Sequence, residues 1–204
     1  MDPRKVLDGE GRQRLSASWT EEVRKAMSEL PRGKAPGAYG LLKEVLEDNW
    51  NLLGTAVMDF MKDFERSTRL PSNFSTAVTI LLHKKGERTD LGNYRPITVL
   101  CAVYKIVAKL LANRMKTVLT QVASENQFGF VPGRRLADVV KVMADTIDAE
   151  VTGKEDWYLL LVNFQKAYDS GSRSFIFRTL ERMRIPECFI RWTKGLHDQA
   201  PTQL

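Results

Sequence analysis

The sequence predicts an α-rich α+β fold. Most apolar residues recur at helical spacing in long segments, whereas the β-rich runs are few and short. Composition supports the same class, because 204 residues that are 43% hydrophobic and 27% charged are typical of a globular protein with a sizeable core. A chain of this length corresponds to one or two compact units.

The first helix is predicted over residues 18–30. Ser18 and Glu21 have the spacing of a capping box, and Pro31 ends the segment. Apolar residues return at helical spacing over residues 41–64, with a break or bend near residues 49–54. Both segments are therefore expected to be amphipathic helices.

Three short runs are predicted strands. Residues 77–82 (AVTILL) are β-rich and bounded by polar residues, and residues 97–100 are a candidate partner that pairs back with them. Residues 157–162 (WYLLLV) are apolar on both faces, which is typical of a buried strand. The remaining apolar stripes predict helices over residues 103–119, 136–151, 173–184 and 188–197.

Positive charge is concentrated in one part of the chain. Residues 84–135 contain ten basic and three acidic side chains, a local net charge of +7 in a chain whose total is +6. A localised field of this sign favours a polyanionic partner, and a solvated helix face is the alternative.

Several side chains in this segment have the chemistry of a phosphate site. Lys84 and Lys85 follow a strand, and Arg95 lies ten residues after Lys85, so a strand-loop-strand hairpin could clamp a triphosphate between them. Arg134 and Arg135 close a Gly-Pro loop beside two aromatic residues, Phe128 and Phe130. These aromatics either stack on unpaired bases or pack the loop.

Other features exclude whole classes of site. Cys101 and Cys188 have no partner spacing, so neither a disulfide framework nor a zinc site is indicated, and a reducing compartment is expected. No apolar stretch is long enough to cross a membrane, and the charged start has no apolar leader. From the cysteine pattern and the lack of a leader we expect an intracellular location, cytoplasmic or nuclear. From the lack of a long apolar stretch we expect no membrane partner.

Four motifs in order resemble the reverse transcriptases of non-LTR (LINE-type) retrotransposons. They are RGKAPGAYG, then LPSNFSTAVTILLHKKGERTDLGNYRPITVLCAVYKIVAKLLANRM, then ENQFGFVPGR, and finally VNFQKAYDS. The resemblance covers residues 19–203. It implies an N-terminal tail (residues 1–17), a reverse-transcriptase-like fingers subdomain (18–150) and a partial palm with the first catalytic strand (151–204).

The resemblance also implies roles for individual residues. Lys84 or Lys85, with Arg95, would contact the phosphates of the incoming nucleotide. Four residues, Gln127, Phe128, Gly129 and Arg134, would lie beside the template and the nascent base pair, although the glycines and Pro132 of this segment could simply fix a turn. Tyr168 would guard the sugar 2′ position, or it fills a core.

Two departures from the family pattern bear on catalysis. The family places a metal-binding aspartate at the end of the first palm strand and uses Mg²⁺, but this sequence has Asn163 there, and an amide oxygen carries no charge. Asp169 lies six positions on and does not obviously substitute. The sequence also contains no Asp-Asp pair, and Ala38-Tyr39 replaces the Pro-Asp of the family's usual Pro-Gly-Pro-Asp-Gly loop. We expect no metal or other cofactor and no activity from this chain alone.

The predicted function is that of a reverse-transcriptase-like fragment that retains binding of RNA or an RNA/DNA hybrid through residues 84–135. One alternative is a piece of a working polymerase in which Asn163 is a single lesion. The other is a domesticated protein-interaction module, whose open palm edge at residues 157–162 would be covered by a second copy or another protein.

Overall fold

The computed structural model describes residues 5–71, 74, 76–151, 158–164, 167 and 170–198. The chain forms two compact units. The hairpin unit contains Arg14–Arg114 and the residues from Pro186 onward, and the second unit contains Met115–Ile185 with the N-terminal residues up to Gln13. The predicted subdivision at residue 150 stays a prediction.

Helices dominate both units, and the described strands form a two-stranded sheet. These elements agree with the predicted α-rich α+β class. In chain order the elements are α1 (Gly9–Ser16), α2 (Glu22–Ser28), α3 (Lys43–Asp48), α4 (Trp50–Ser67), β1 (Val78–His83), β2 (Tyr94–Val99), α5 (Ala102–Val122), α6 (Leu136–Val151), α7 (Arg173–Arg182) and α8 (Glu187–Asp198). A single 3-10 turn, Leu91–Asn93, precedes β2. The break expected near residues 49–54 falls at Asn49.

The N-terminal region differs from the sequence prediction in two ways. Residues predicted as a tail include helix α1, and Leu15 in that helix is fully buried. The predicted capping box at Ser18 and Glu21 is wrong, because α2 begins at Glu22 and no side chain caps it. The reason is that Trp19 lies in the core, in a turn that places its ring inward before the helix starts.

Three aromatic rings form the centre of the hairpin unit. The Trp19 ring lies 5.7 Å from Phe64 and 5.1 Å from Trp192, measured between ring centroids. The Trp192 indole Nε1 donates to the Glu65 carbonyl at 2.7 Å, which ties α8 to the last full turn of α4. Contacts of this kind combine a large apolar burial with a satisfied polar group.

The RGKAPGAYG loop packs against the start of α5. A Cβ at Gly37 would lie 2.6 Å from the Cys101 backbone, so only glycine fits at this approach. The Lys105 ammonium donates to the Ala35 carbonyl at 3.1 Å and holds the loop from the helix side. The Cys101 thiol is buried and donates to the Phe74 carbonyl, and burial raises its pKa above the ordinary thiol value.

The predicted hairpin is confirmed. Strands β1 and β2 pair antiparallel, with Leu82 opposite Arg95 and His83 opposite Tyr94. Apolar residues are partly exposed on both faces of this ribbon, among them Ile80, Leu81 and Ile97.

The predicted buried strand at residues 157–162 is wrong for its described part. Residues 158–164 have no regular secondary structure, and their side chains are exposed, Tyr158 by 91% and Leu160 by 82%. A strand that is apolar on both faces needs neighbouring strands and covering helices. In the described ranges the strands are β1 and β2, which pair with each other. Trp157 lies outside the described residues.

None of the helices in the described ranges is long and apolar enough to span a bilayer.

Candidate nucleic-acid interface

The loop between β1 and β2 is held by side chains that bond to its own backbone. The His83 ring lies 5.2 Å from the Tyr94 ring, and its Nε2 contacts the Gly86 carbonyl at 3.0 Å. The Asn93 amide donates to the Glu87 carbonyl, and the Tyr94 hydroxyl donates to the Arg88 carbonyl, each at 3.0 Å. These contacts order the loop without using any lysine or arginine side chain.

Glycine is required at one point of this loop. Gly86 has a φ of +88°, and a Cβ there would lie 2.7 Å from the Asn93 amide nitrogen. The tight turn returns the chain so that the Lys84 amide donates to the Asn93 carbonyl at 2.8 Å. The hairpin pairing therefore continues one residue beyond the strands.

This register places two predicted phosphate ligands on the same side of the ribbon. Leu82 faces Arg95 across the strands, and because side chains alternate along a strand, Lys84 lies on the side of Leu82 and Arg95. Lys85 and Arg88 follow on the ordered loop. We name these four exposed residues, Lys84, Lys85, Arg88 and Arg95, the hairpin surface.

The hairpin surface carries uncompensated charge. Across the described ranges, none of its four side chains forms an ion pair or donates a hydrogen bond. Of the two acidic residues in the loop, Asp90 accepts a hydrogen bond from the Gly92 amide at 2.8 Å. Sequence reasoning missed Arg88 as a member of this set. The available signal was its position between Gly86 and Tyr94, inside the hairpin loop.

Five other cations of the basic segment are engaged elsewhere in their own units: Lys105, Lys109, Arg114, Arg134 and Arg135. Lys109 pairs with Glu29 at 3.2 Å, and the Asn113 amide donates to the same carboxylate at 2.8 Å. The Asn113 hydrogen bond, followed by that of Lys109, lowers the pKa of Glu29 below its ordinary value. Of the ten cations in the segment, four therefore form the hairpin surface and five are bonded within the protein, and the tenth, Lys116, is exposed on α5.

Arg114 is the most deeply buried of these structural cations. Its side chain is 2% exposed and its guanidinium lies over the Trp192 ring, 5.8 Å from the centroid. It donates to the carbonyls of Leu15 at 3.3 Å and Ser18 at 2.9 Å, and it pairs with the Glu22 carboxylate. A cation placed in this way holds the N-terminal turn onto α5 and is not available to an external anion.

The segment predicted to lie beside the template belongs to the other unit. The Arg134 guanidinium donates to the carbonyls of Ser124, Glu125 and Gln127, and the Gln127 amide donates to the Gly129 carbonyl at 3.0 Å. These bonds close the loop on itself.

Two aromatic residues of the same loop differ in exposure. Phe128 is half-buried, whereas Phe130 is 87% exposed with a φ of +63°. Gly133, with a φ of +80°, fits the turn alternative. The template-contact roles of Gln127, Phe128, Gly129 and Arg134 stay predictions.

The donor set at the end of residues 158–164 does not fit Mg²⁺. Asn163 is exposed and offers one neutral amide oxygen, whereas Mg²⁺ is bound through carboxylates and water. In the described part of the chain, no group of three or more His, Cys, Asp or Glu side chains could hold a metal. Tyr168 and Asp169 lie outside the described residues, so the sugar-gate role of Tyr168 stays a prediction.

Comparison with known proteins gives the family. Residues 82–202 match the family model described as "Reverse transcriptase (RNA-dependent DNA polymerase)". The chain is 31% identical over 197 residues to the "Transposon TX1 uncharacterized 149 kDa protein" of Xenopus laevis, covering 96% of this chain and 15% of that protein. It is 34% identical over 185 residues to the "RNA-directed DNA polymerase from mobile element jockey" of Drosophila melanogaster, covering 86% of this chain and 20% of that protein.

A third relative is the "Retrovirus-related Pol polyprotein from type-1 retrotransposable element R2" of Popillia japonica, 25% identical over 135 residues, which are 65% of this chain and 19% of that protein. The chain thus spans at most a fifth of the length of these relatives. The family model covers more than half of the chain, and the relatives are proteins of mobile elements. The chain therefore belongs to the reverse transcriptase (RNA-dependent DNA polymerase) family, in the group found in non-LTR retrotransposons.

Proposed function

We propose that this chain binds RNA or an RNA/DNA hybrid through the hairpin surface, as a fingers-like part of a reverse-transcriptase scaffold followed by a partial palm. One observation carries the proposal: four cations that form no ion pair with any described residue stand on an ordered hairpin in a chain of a polymerase family. An RNA partner implies an intracellular location.

The physical basis is phosphate neutralisation. Each lysine or arginine that contacts a phosphate releases condensed counterions, so affinity falls as salt rises. Arg95 and Arg88 can contact phosphate bidentately, whereas Lys84 and Lys85 act as point charges. Because the loop is ordered by its own side-chain bonds, less conformational entropy is lost on binding than for a mobile loop.

Binding is tested by fluorescence anisotropy with a labelled single-stranded RNA of about 20 nucleotides, titrated at several salt concentrations. Four phosphate contacts predict a slope of log affinity against log salt of about −3. A variant with glutamine at all four positions of the hairpin surface should lose most of that slope. Lys25→Gln with Lys62→Gln, two exposed lysines of the same unit outside the surface, is the control. A wild-type chain that binds no RNA at low salt contradicts the proposal.

We further propose that the chain alone does not polymerise DNA. The amide of Asn163 supplies no charge to a metal, and the sequence contains no Asp-Asp pair. Primer extension with Mg²⁺ or Mn²⁺ should give no templated product from the wild type. Asn163→Asp should give none either, because residues 158–164 do not form the strand that would position a carboxylate. Templated synthesis by the wild type refutes the proposal.

A second candidate function is protein interaction, and the exposed apolar segment at residues 158–164 favours it. A surface of this kind is usually covered by another chain. If interaction is the main role, light scattering should show a dimer or a stable hetero-complex while RNA affinity stays negligible. A monomer that binds RNA excludes it.

A further inference from the structure

A second basic cavity lies in the hairpin unit, where α8 meets the end of α4. Its volume is about 470 Å³. Three cations line it, Arg69, Arg191 and Lys194, together with one acidic residue, Asp198. Neither the charge concentration at residues 84–135 nor the family motifs point to this site, because Arg69 lies more than 100 residues before Arg191 and Lys194 in the sequence.

Backbone packing brings these cations together. A Cβ at Gly195 would collide with the Thr68 carbonyl, so α8 approaches the end of α4 as closely as a glycine allows. Thr68 is the C-cap of α4 and has the left-handed conformation, with a φ of 57°. The chain therefore turns at the end of α4, immediately before Arg69. The hydrogen bond from Trp192 to Glu65 fixes the rotation of α8. Arg191 and Lys194 flank that anchored tryptophan.

Two of the three cations that line the cavity, Arg69 and Arg191, form no ion pair within the part of the chain that the structure describes. Both side chains are exposed. The nearby cations of α4 have acidic partners, because Lys62 pairs with Asp59 at 3.7 Å and Arg66 pairs with Asp63 at 2.9 Å. Like charges held close by a fixed backbone repel each other, and a bound anion relieves that repulsion.

We propose that Arg69, Arg191 and Lys194 form a second phosphate-binding site, which takes backbone phosphates of the RNA bound by this chain. The proposal rests on the proposed function, because it gives that nucleic acid a second contact within the same unit. Arginine is suited to this role, since its planar fork of donors matches two phosphate oxygens. The site is open at the surface and is lined by cations from α8 and from the segment that follows α4, which suits a phosphodiester backbone.

The test is the same anisotropy titration with the double variant Arg69→Gln/Arg191→Gln. Loss of two phosphate contacts should reduce the salt slope by about 1.4. If the affinities converge at about 1 M salt, that change corresponds to a loss of about 25-fold in affinity at 0.1 M salt. Each single variant should give about half of the slope change. Thermal melting followed by circular dichroism confirms that the variants fold.

The matched control is Lys62→Gln/Arg66→Gln, which removes two cations from the same unit that already have acidic partners. It should change affinity by less than about threefold. Equal losses in both double variants overturn the inference, because net charge alone would then explain them. If Arg69→Gln/Arg191→Gln binds like the wild type while the hairpin variant is weakened, the second site is wrong and the proposed function stands. A wild-type chain that binds no RNA contradicts both the second phosphate-binding site and the proposed function.

Discussion

Replacing Arg114 with methionine tests whether this buried cation is structural. The change keeps an unbranched apolar stem in place of the arginine's aliphatic part but removes the guanidinium and every donor. The carbonyls of Leu15 and Ser18 each lose a partner, at about 1 kcal/mol apiece, and the stacking on Trp192 contributes about 1 kcal/mol more. The Glu22 carboxylate is 43% exposed, so its lost ion pair costs under about 1 kcal/mol. The expected destabilisation is about 3 kcal/mol.

Urea unfolding followed by circular dichroism measures this loss. With an m-value of about 2 kcal/mol/M, the midpoint should fall by about 1.5 M. Lys116→Met is the matched control, because Lys116 is exposed on the same helix, and its effect should stay within about 0.5 kcal/mol. Arg114→Met should keep its RNA affinity in the absence of urea. A stability change below about 1 kcal/mol together with lost RNA affinity would show that Arg114 contacts nucleic acid instead.

Three further predictions concern positions away from the interface. Gly37→Ala should lower the free energy of unfolding by about 2 kcal/mol, because the new Cβ would meet backbone atoms of Cys101. The control Gly9→Ala, at a position with open space around it, should change the free energy of unfolding by less than about 1 kcal/mol. Equal effects of the two variants in urea unfolding would contradict the packing of Gly37 against Cys101. At about pH 8 a thiol reagent such as DTNB should label Cys188 well before Cys101, whose pKa burial raises, and equal rates would contradict this. The pKa of Glu29 is lowered in the folded state by its side-chain hydrogen bonds, so its stabilisation is present above the ordinary carboxyl pKa and is lost as pH falls through the lowered value. The difference in Tm between wild type and Glu29→Gln should therefore be present at neutral pH and close below about pH 4, and a gap independent of pH would refute the assignment.

The elements that could be predicted from the sequence are those whose pattern is local. The amphipathic helices over residues 43–67 and 102–122 follow from apolar spacing, and the hairpin follows from two β-rich runs around a polar loop. Lys84, Lys85 and Arg95 could be selected for the same reason, because a hairpin brings its two ends together.

The errors arise where long-range packing decides the outcome. The apolar run at residues 158–162 has strand composition, but strand formation depends on partners that a local pattern does not contain. Arg114 counts as one more positive charge in the sequence, and only the fold shows that it is buried beneath the N-terminal turn. Arg69 and Arg191 come together through the approach of Gly195 to Thr68, which spacing along the chain does not reveal.

Lysine footprinting tests most directly whether the lysines of the hairpin surface bind RNA while the lysines bonded within the protein do not. The chain is treated with an acetylating reagent with and without saturating single-stranded RNA at low salt, and the modification of each lysine is quantified by mass spectrometry. We predict that RNA protects Lys84 and Lys85, while Lys105 and Lys109, which are bonded within the protein, change little. Protection of the two helix lysines with unchanged reactivity at the hairpin would contradict the account.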